Sequence, residues 1–314
     1  MSLELCHCPN SRQSLMSIRT KPLKNATELR DHTDVRRAVP KEHCERRPIF
    51  AQSLASILGF LLAVSVGCAV PRADVALPGE SVLERDQLVV YSDFYIPTQH
   101  RLIEGLTARR RDIFEQLKLP TSNEPINVYV FQTENEYRQF MAKDFPEFPD
   151  RRAFFVKNDT TLKIFAFWGE QIGEDLRHEV THGYLHSVIA NLPIWLDEGL
   201  AEFYETPRGR HGFNESHVYL LSNAFRRGDW KPDLATLEQL RLPEELNQLN
   251  YAEAWLWVHF MLEGDEGDPK LIQDQLARLR MSAESEPMSG FVEKQLEGKD
   301  VKVIEHLKKL AEEL

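Results

Sequence analysis

The chain has 314 residues, a formal net charge of −11, 42% apolar residues and 28% charged residues. That length admits one or two domains, and that apolar fraction is enough to build a hydrophobic core. The acidic balance argues against nucleic-acid binding, which normally needs a basic face.

Residues 1–48 are rich in Arg, Lys, Ser, Thr and Pro and show little apolar periodicity, so they are expected to be unstructured. Because this stretch is basic, the rest of the chain is more acidic than the total indicates. Cys6-His7-Cys8 has no companion pair at a zinc-site spacing, which argues against a metal role there. Arg46 and Arg47 then precede a long apolar run, Ile49 to Val70. A charged start, an apolar middle and small residues at the end make a secretory signal, and a translation start nearer Arg46 would make it a conventional one. The run ends in Ser65-Val66-Gly67-Cys68, which resembles a bacterial lipoprotein signal. In that reading Cys68 is lipidated and becomes the first mature residue, although Leu is usual where Ser65 stands. The same run is long enough to cross a bilayer as a single uncleaved anchor. Cleavage to a soluble secreted form is the third option. All three put the following residues outside the cytoplasm, because positive charge stays inside. Cys6, Cys8, Cys44 and Cys68 all lie at or before this boundary, so the exported part has neither a disulfide nor a thiol nucleophile.

Residues 71–85 carry Pro, Gly and charges and read as a linker, with the folded domain over 86–314. Leu88 to Tyr91 reads as a strand. Thr98 to Leu119 reads as a long amphipathic helix, with Leu102, Leu106, Ile113 and Leu117 near one stripe. Ile126 to Phe131 is a second strand, and Glu134 to Asp144 is a helix stopped by Pro146 and Pro149. Ala153 to Val156 and Leu162 to Trp168 are two more strands about an Asn158-Asp159 turn. Helices follow: Glu174 to Ala190, one starting near Pro193, Glu215 to Arg227, Tyr251 to Glu263, and two or three more. The expected class is α+β, a small mixed sheet followed by an active-site helix and a mostly helical C-terminal part.

The helix over 174–190 contains His178-Glu179-Val180-Thr181-His182. Residues four apart share a helix face, so His178 and His182 can point at one metal ion. Glu179 flanks the same site and can take a proton from a metal-bound water. A helix from Pro193 presents Glu198 and Glu202 four apart. A catalytic zinc wants three protein ligands and one open position, which makes Glu198 the natural third ligand. Glu202, one turn on, is placed to hold a ligating histidine by its second nitrogen. His186 continues the fourfold spacing but lies about 12 Å along the axis from His178, so the three histidines cannot share one ion. It reads as a packing or solvated histidine. Leu185 and Val188 stand where the metzincin pattern needs Gly and His.

H-E-x-x-H followed by Trp195-Leu196-Asp197-Glu198-Gly199-Leu200-Ala201-Glu202-Phe203 resembles the gluzincin metallopeptidases, especially the bacterial peptidase MA-like group. The resemblance is specific over Gly173 to Glu205 and looser to about Leu262. It implies a zincin-like fold, with His178, His182 and Glu198 as zinc ligands, Glu179 as general base and Glu202 behind a ligand. It further implies that one strand of the 153–168 hairpin pairs with an extended peptide substrate. Tyr251 resembles the tyrosine that donates to the tetrahedral oxyanion in related sequences, with His259 as the reserve. The gap from His182 to Glu198 is shorter than in the aminopeptidases of this class, and the Gly-x-Met-Glu-Asn segment that holds a substrate amino terminus is absent. Both departures count against an aminopeptidase. The expected function is therefore a zinc-dependent hydrolase acting on peptides or proteins and tied to a membrane by its N-terminal segment. The rival is a non-catalytic, surface-anchored binding protein on the same fold, for which Glu179 would have no use.

Overall fold

The computed structural model describes residues 4–6, 75–282, 286–296 and 298–314. Its strands are Glu4–Cys6 (β1), Ser81–Arg85 (β2), Leu88–Ser92 (β3), Ile126–Phe131 (β4), Ala153–Asn158 (β5) and Thr161–Phe167 (β6). β2 to β6 form a small mixed sheet in the order β5-β6-β4-β3-β2, and β1 adds to the β5 edge. The pairs β3–β4 and β4–β6 are parallel and the others antiparallel. β2 and β3 join through a two-residue turn with Asp86 at φ 51°, a left-handed conformation that Asp tolerates. At the other hairpin the Asn158 side chain accepts from the backbone N–H of Thr160 and Thr161, at 3.0 and 2.9 Å, which fixes the turn expected there.

Two expectations need correction. Residues 81–85 are not linker but the outer strand β2, so the folded domain starts before Asp86. Only Leu83 of that strand is buried, and one inward residue is too weak an alternation to read from sequence. Glu4–Cys6, expected to be unstructured, pairs antiparallel with β5, Cys6 opposite Phe155.

The helices are Arg101–Gln116 (α1), Glu134–Asp144 (α2), Ile172–His186 (α3), Ile194–Glu205 (α4), Glu215–Arg227 (α5), Leu234–Leu237 (α6), Gln248–Glu263 (α7), Pro269–Met281 (α8), Met288–Gln295 (α9) and Lys299–Ala311 (α10). Both faces of β5 and β6 are buried, which explains their near-continuous apolar runs. Phe155, Leu162, Ile164 and Ala166 face the main core with Leu176, Val180 and Tyr184 of α3. Phe154, Val156 and Phe165 face a second, aromatic cluster with Tyr137, Phe140 and Met141 of α2. α3 thus lies against β5 and β6 of the sheet. α7 is buried on every side from Tyr251 to Leu262, the mark of a central helix. α4 lies tightly on it: a Cβ at Gly199 would fall 2.6 Å from the Ala254 carbonyl oxygen. Glycine beside Glu198 therefore lets the two backbones meet.

Among the described residues no helix is long and apolar enough to cross a membrane. The apolar run Ile49 to Val70, with Cys68, lies outside the described residues.

Candidate metal centre

α3 follows β6 after a short loop and carries Glu174 and Asp175 in its first turn, where acidic side chains favour a helix start. Arg152, just before β5, ties that turn to the sheet, reaching Asp175 at 2.7 Å and Glu174 at 3.2 Å. One turn further in, His178 and His182 stand side by side with ring centroids 4.9 Å apart. α4 brings Glu198 against them. Its Oε2 lies 3.5 Å from His178 Nε2 and 3.8 Å from His182 Nε2. All three residues are fully buried, and one ligand atom from each lies within 4.8 Å of the others.

The second nitrogen of each imidazole meets a carboxylate. His182 Nδ1 is 2.9 Å from Asp197 Oδ1, and His178 Nδ1 is 2.9 Å from Glu205 Oε2. A carboxylate accepts, so these partners assign the hydrogen to Nδ1 in both rings and leave Nε2 with a lone pair. Burial by itself would raise the Asp197 carboxyl, but the charges and hydrogen bonds of His182 and His186 hold it well below the usual range. Asn214, the N-cap of α5, donates to the other oxygen of Glu205 at 3.1 Å.

Glu202, expected behind a ligating histidine, has an oxygen within 4.8 Å of a His178 nitrogen, but its hydrogen bond runs to α5. Its Oε2 lies 2.8 Å from His217 Nε2 on α5. Burial keeps His217 neutral by lowering its pKa to about 4. The helices cross so that His178 Nδ1 faces Glu205, nearly two turns past Glu198, and Glu202 turns toward α5. Glu205 and Asp197 are therefore the residues missed in the sequence. The one available signal was the i, i+4, i+7 series of Glu198, Glu202 and Glu205 on one face.

Glu179 is fully buried, and neither of its oxygens has a hydrogen-bond partner among the described residues. Burial, only partly offset by the two histidines, raises its pKa to about 7. Tyr251, in the first turn of α7, has a buried hydroxyl beside the Arg151 side chain. Burial and the Glu198 carboxylate push its pKa up, so the phenol keeps its proton. The reserve candidate, His259, turns elsewhere: its Nδ1 lies 2.9 Å from His306 Nε2 on α10.

A buried carboxylate and a buried imidazole nitrogen without partners are costly unless a cation or water completes them. His182 Nε2 and Glu179 meet that description, so this His/His/Glu set suits a metal ion. Neither a family model, nor a curated protein, nor a solved structure matches the chain.

Proposed function

We propose that the protein is a zinc-dependent hydrolase of zincin type, acting on peptide bonds, with His178, His182 and Glu198 as ligands. The observation that carries this reading is two buried imidazoles, each backed by a carboxylate, converging with Glu198 beside an unpartnered Glu179. Donors around a tetrahedral zinc stand about 3.3 Å apart, close to the 3.5 and 3.8 Å between Glu198 and the two histidines. The nitrogen and oxygen donor set also suits zinc. When bound, the ion supplies Lewis acidity, polarising a carbonyl and making a water easier to deprotonate.

The remaining work falls to the chain. Glu179 accepts the proton of the attacking water, and burial gives this carboxylate the basicity to do so. Its next step is to pass that proton to the leaving amine. Tyr251 keeps its hydroxyl hydrogen and can donate it to the developing oxyanion. Asp197 and Glu205 hold the two imidazoles in the tautomer that frees Nε2. A purely structural site would gain nothing from Glu179, which favours an enzyme over a binding protein.

Glu179→Gln tests the reading. It keeps the shape but cannot take the proton, and it should lower hydrolysis of a peptide library about 10²–10⁴-fold while zinc content stays at the parent's level. Equal hydrolysis by both forms would remove Glu179 as the base. Zinc in both forms with cleavage in neither would replace the hydrolase by the binding protein.

A further inference from the structure

Asp197 meets two histidines. Its Oδ1 accepts from His182, and its Oδ2 lies 2.8 Å from Nε2 of His186. Nδ1 of His186, in turn, lies 3.3 Å from the Lys157 ammonium on β5. An ammonium only donates, so Nδ1 accepts and the ring hydrogen belongs on Nε2, where it donates to Asp197. Lys157 is held in turn by the backbone carbonyl of Ala190, just beyond α3. Phe155 lies against both rings, stacked at 5.9 Å and 24° on His182 and at 5.5 Å and 20° on His186. Four polar side chains thus form one line from the sheet to a candidate ligand: Lys157, His186, Asp197, His182.

We propose that His186 is a positioning residue for the metal centre. Acting through Asp197, it holds His182 with Nε2 presented to the cation, and Lys157 fixes the tautomer His186 needs. This rests on the zinc reading above. A carboxylate with an N–H donor on each oxygen has its plane fixed by both. With the His186 donor removed, the carboxylate is held less firmly, because the buried Asp197 side chain loses that hydrogen bond. This loosens the acceptor that orients His182. A packing role for His186 needs only its ring against Phe155, so the two roles separate when the N–H is removed and the ring kept.

The experiment uses the full chain loaded with zinc. Its readouts are the rate of zinc loss to excess chelator and the visible spectrum after cobalt(II) substitution. His186→Phe keeps a ring on Phe155 and removes the N–H. It should release zinc roughly tenfold faster, at the low end for residues that orient ligating histidines, and shift the cobalt bands. His186→Gln restores a side-chain N–H at about the position of Nε2 and should return release to within about twofold of the parent. Lys157→Met should speed release by roughly threefold. Parent-like retention in a folded His186→Phe, or release from His186→Gln as fast as from His186→Phe, overturns the proposal and leaves the zinc reading standing. If His186→Phe does not fold, Lys157→Met decides, and parent-like retention there overturns the proposal. A parent chain that takes up no zinc overturns both.

Discussion

His178 and His182 on α3, and His259 and His306 on α7 and α10, are both buried histidine pairs, but they are wired in opposite ways. In the first pair each Nδ1 meets a carboxylate, and the Nε2 atoms converge on Glu198. In the second pair the imidazoles bond to each other, 2.9 Å from His259 Nδ1 to His306 Nε2, against Phe203, Trp255 and Phe260. Burial drives this pair's pKa values down to about 3 and about 4, so both rings are neutral. Among the described residues no third ligand joins it in a metal-binding group. Closeness of two imidazoles is therefore not what makes a metal centre. A carboxylate behind each ring and an acid in front give the first pair a donor set that could hold a cation.

The contrast can be broken most directly at one residue of each pair. His182→Ala leaves two donors where a catalytic zinc needs about three, and bound zinc should fall from about one equivalent to near zero by elemental analysis. His306→Ala should leave zinc content unchanged and lower the unfolding free energy by about 1–3 kcal/mol, because the buried His259 Nδ1 loses its partner. Full zinc in the first variant, or zinc loss in the second, would erase the distinction.

The carboxylates behind the rings sharpen it. Asp197→Asn and Glu205→Gln should each weaken zinc binding about 10–100-fold in a chelator competition. Glu202→Gln should cost less than about threefold, since the hydrogen bond of Glu202 goes to His217. A larger loss in Glu202→Gln than in Glu205→Gln would reassign the support of His178.

The sequence makes the front of the site legible and hides its back. His178 and His182 are readable because four-residue spacing on a helix survives folding unchanged, whereas Glu198, on another helix, is reached from the need for a third ligand and the resemblance of the second motif. Asp197 meets His182 across 15 residues and Glu205 meets His178 across 27, and no local period records either meeting. His186 shows the same limit. Its place along α3 keeps it outside the ligand group, yet its bond to Asp197 depends on a helix that comes after a turn. In the fold, α2 and α5 are readable at their ends because their caps are local: Thr133 with Glu136 for α2, Asn214 and Gly228 for α5. β2 is not, because its pairing with β3 carries the information and its own residues carry little.

The smallest effect separates the two pairs by acidity. His259 and His306 have native pKa values of about 3 and about 4. In the unfolded chain a histidine titrates near 6.5. Above that value both states are neutral, and the pair adds no pH dependence. As pH falls below about 6.5 the unfolded chain binds protons that the native pair refuses, so stability falls with pH and keeps falling toward the native values. The slope reaches about 1.4 kcal/mol per pH unit for each such group. Glu179, Glu202 and Glu205, with native pKa values raised to about 7, work in the opposite sense, because their protonation below that value favours the native state. The net curve therefore mixes both centres, and only a difference isolates the second. His259→Leu together with His306→Leu removes both histidines and leaves the metal residues untouched. Denaturant unfolding of parent and double variant between pH 7 and pH 4.5 should show the parent losing stability more steeply, by about 1–2 kcal/mol per unit at the acid end. Parallel curves would mean that the native pair takes up protons as readily as the unfolded chain, and the contrast with the candidate metal centre would then fail at its electrostatic root.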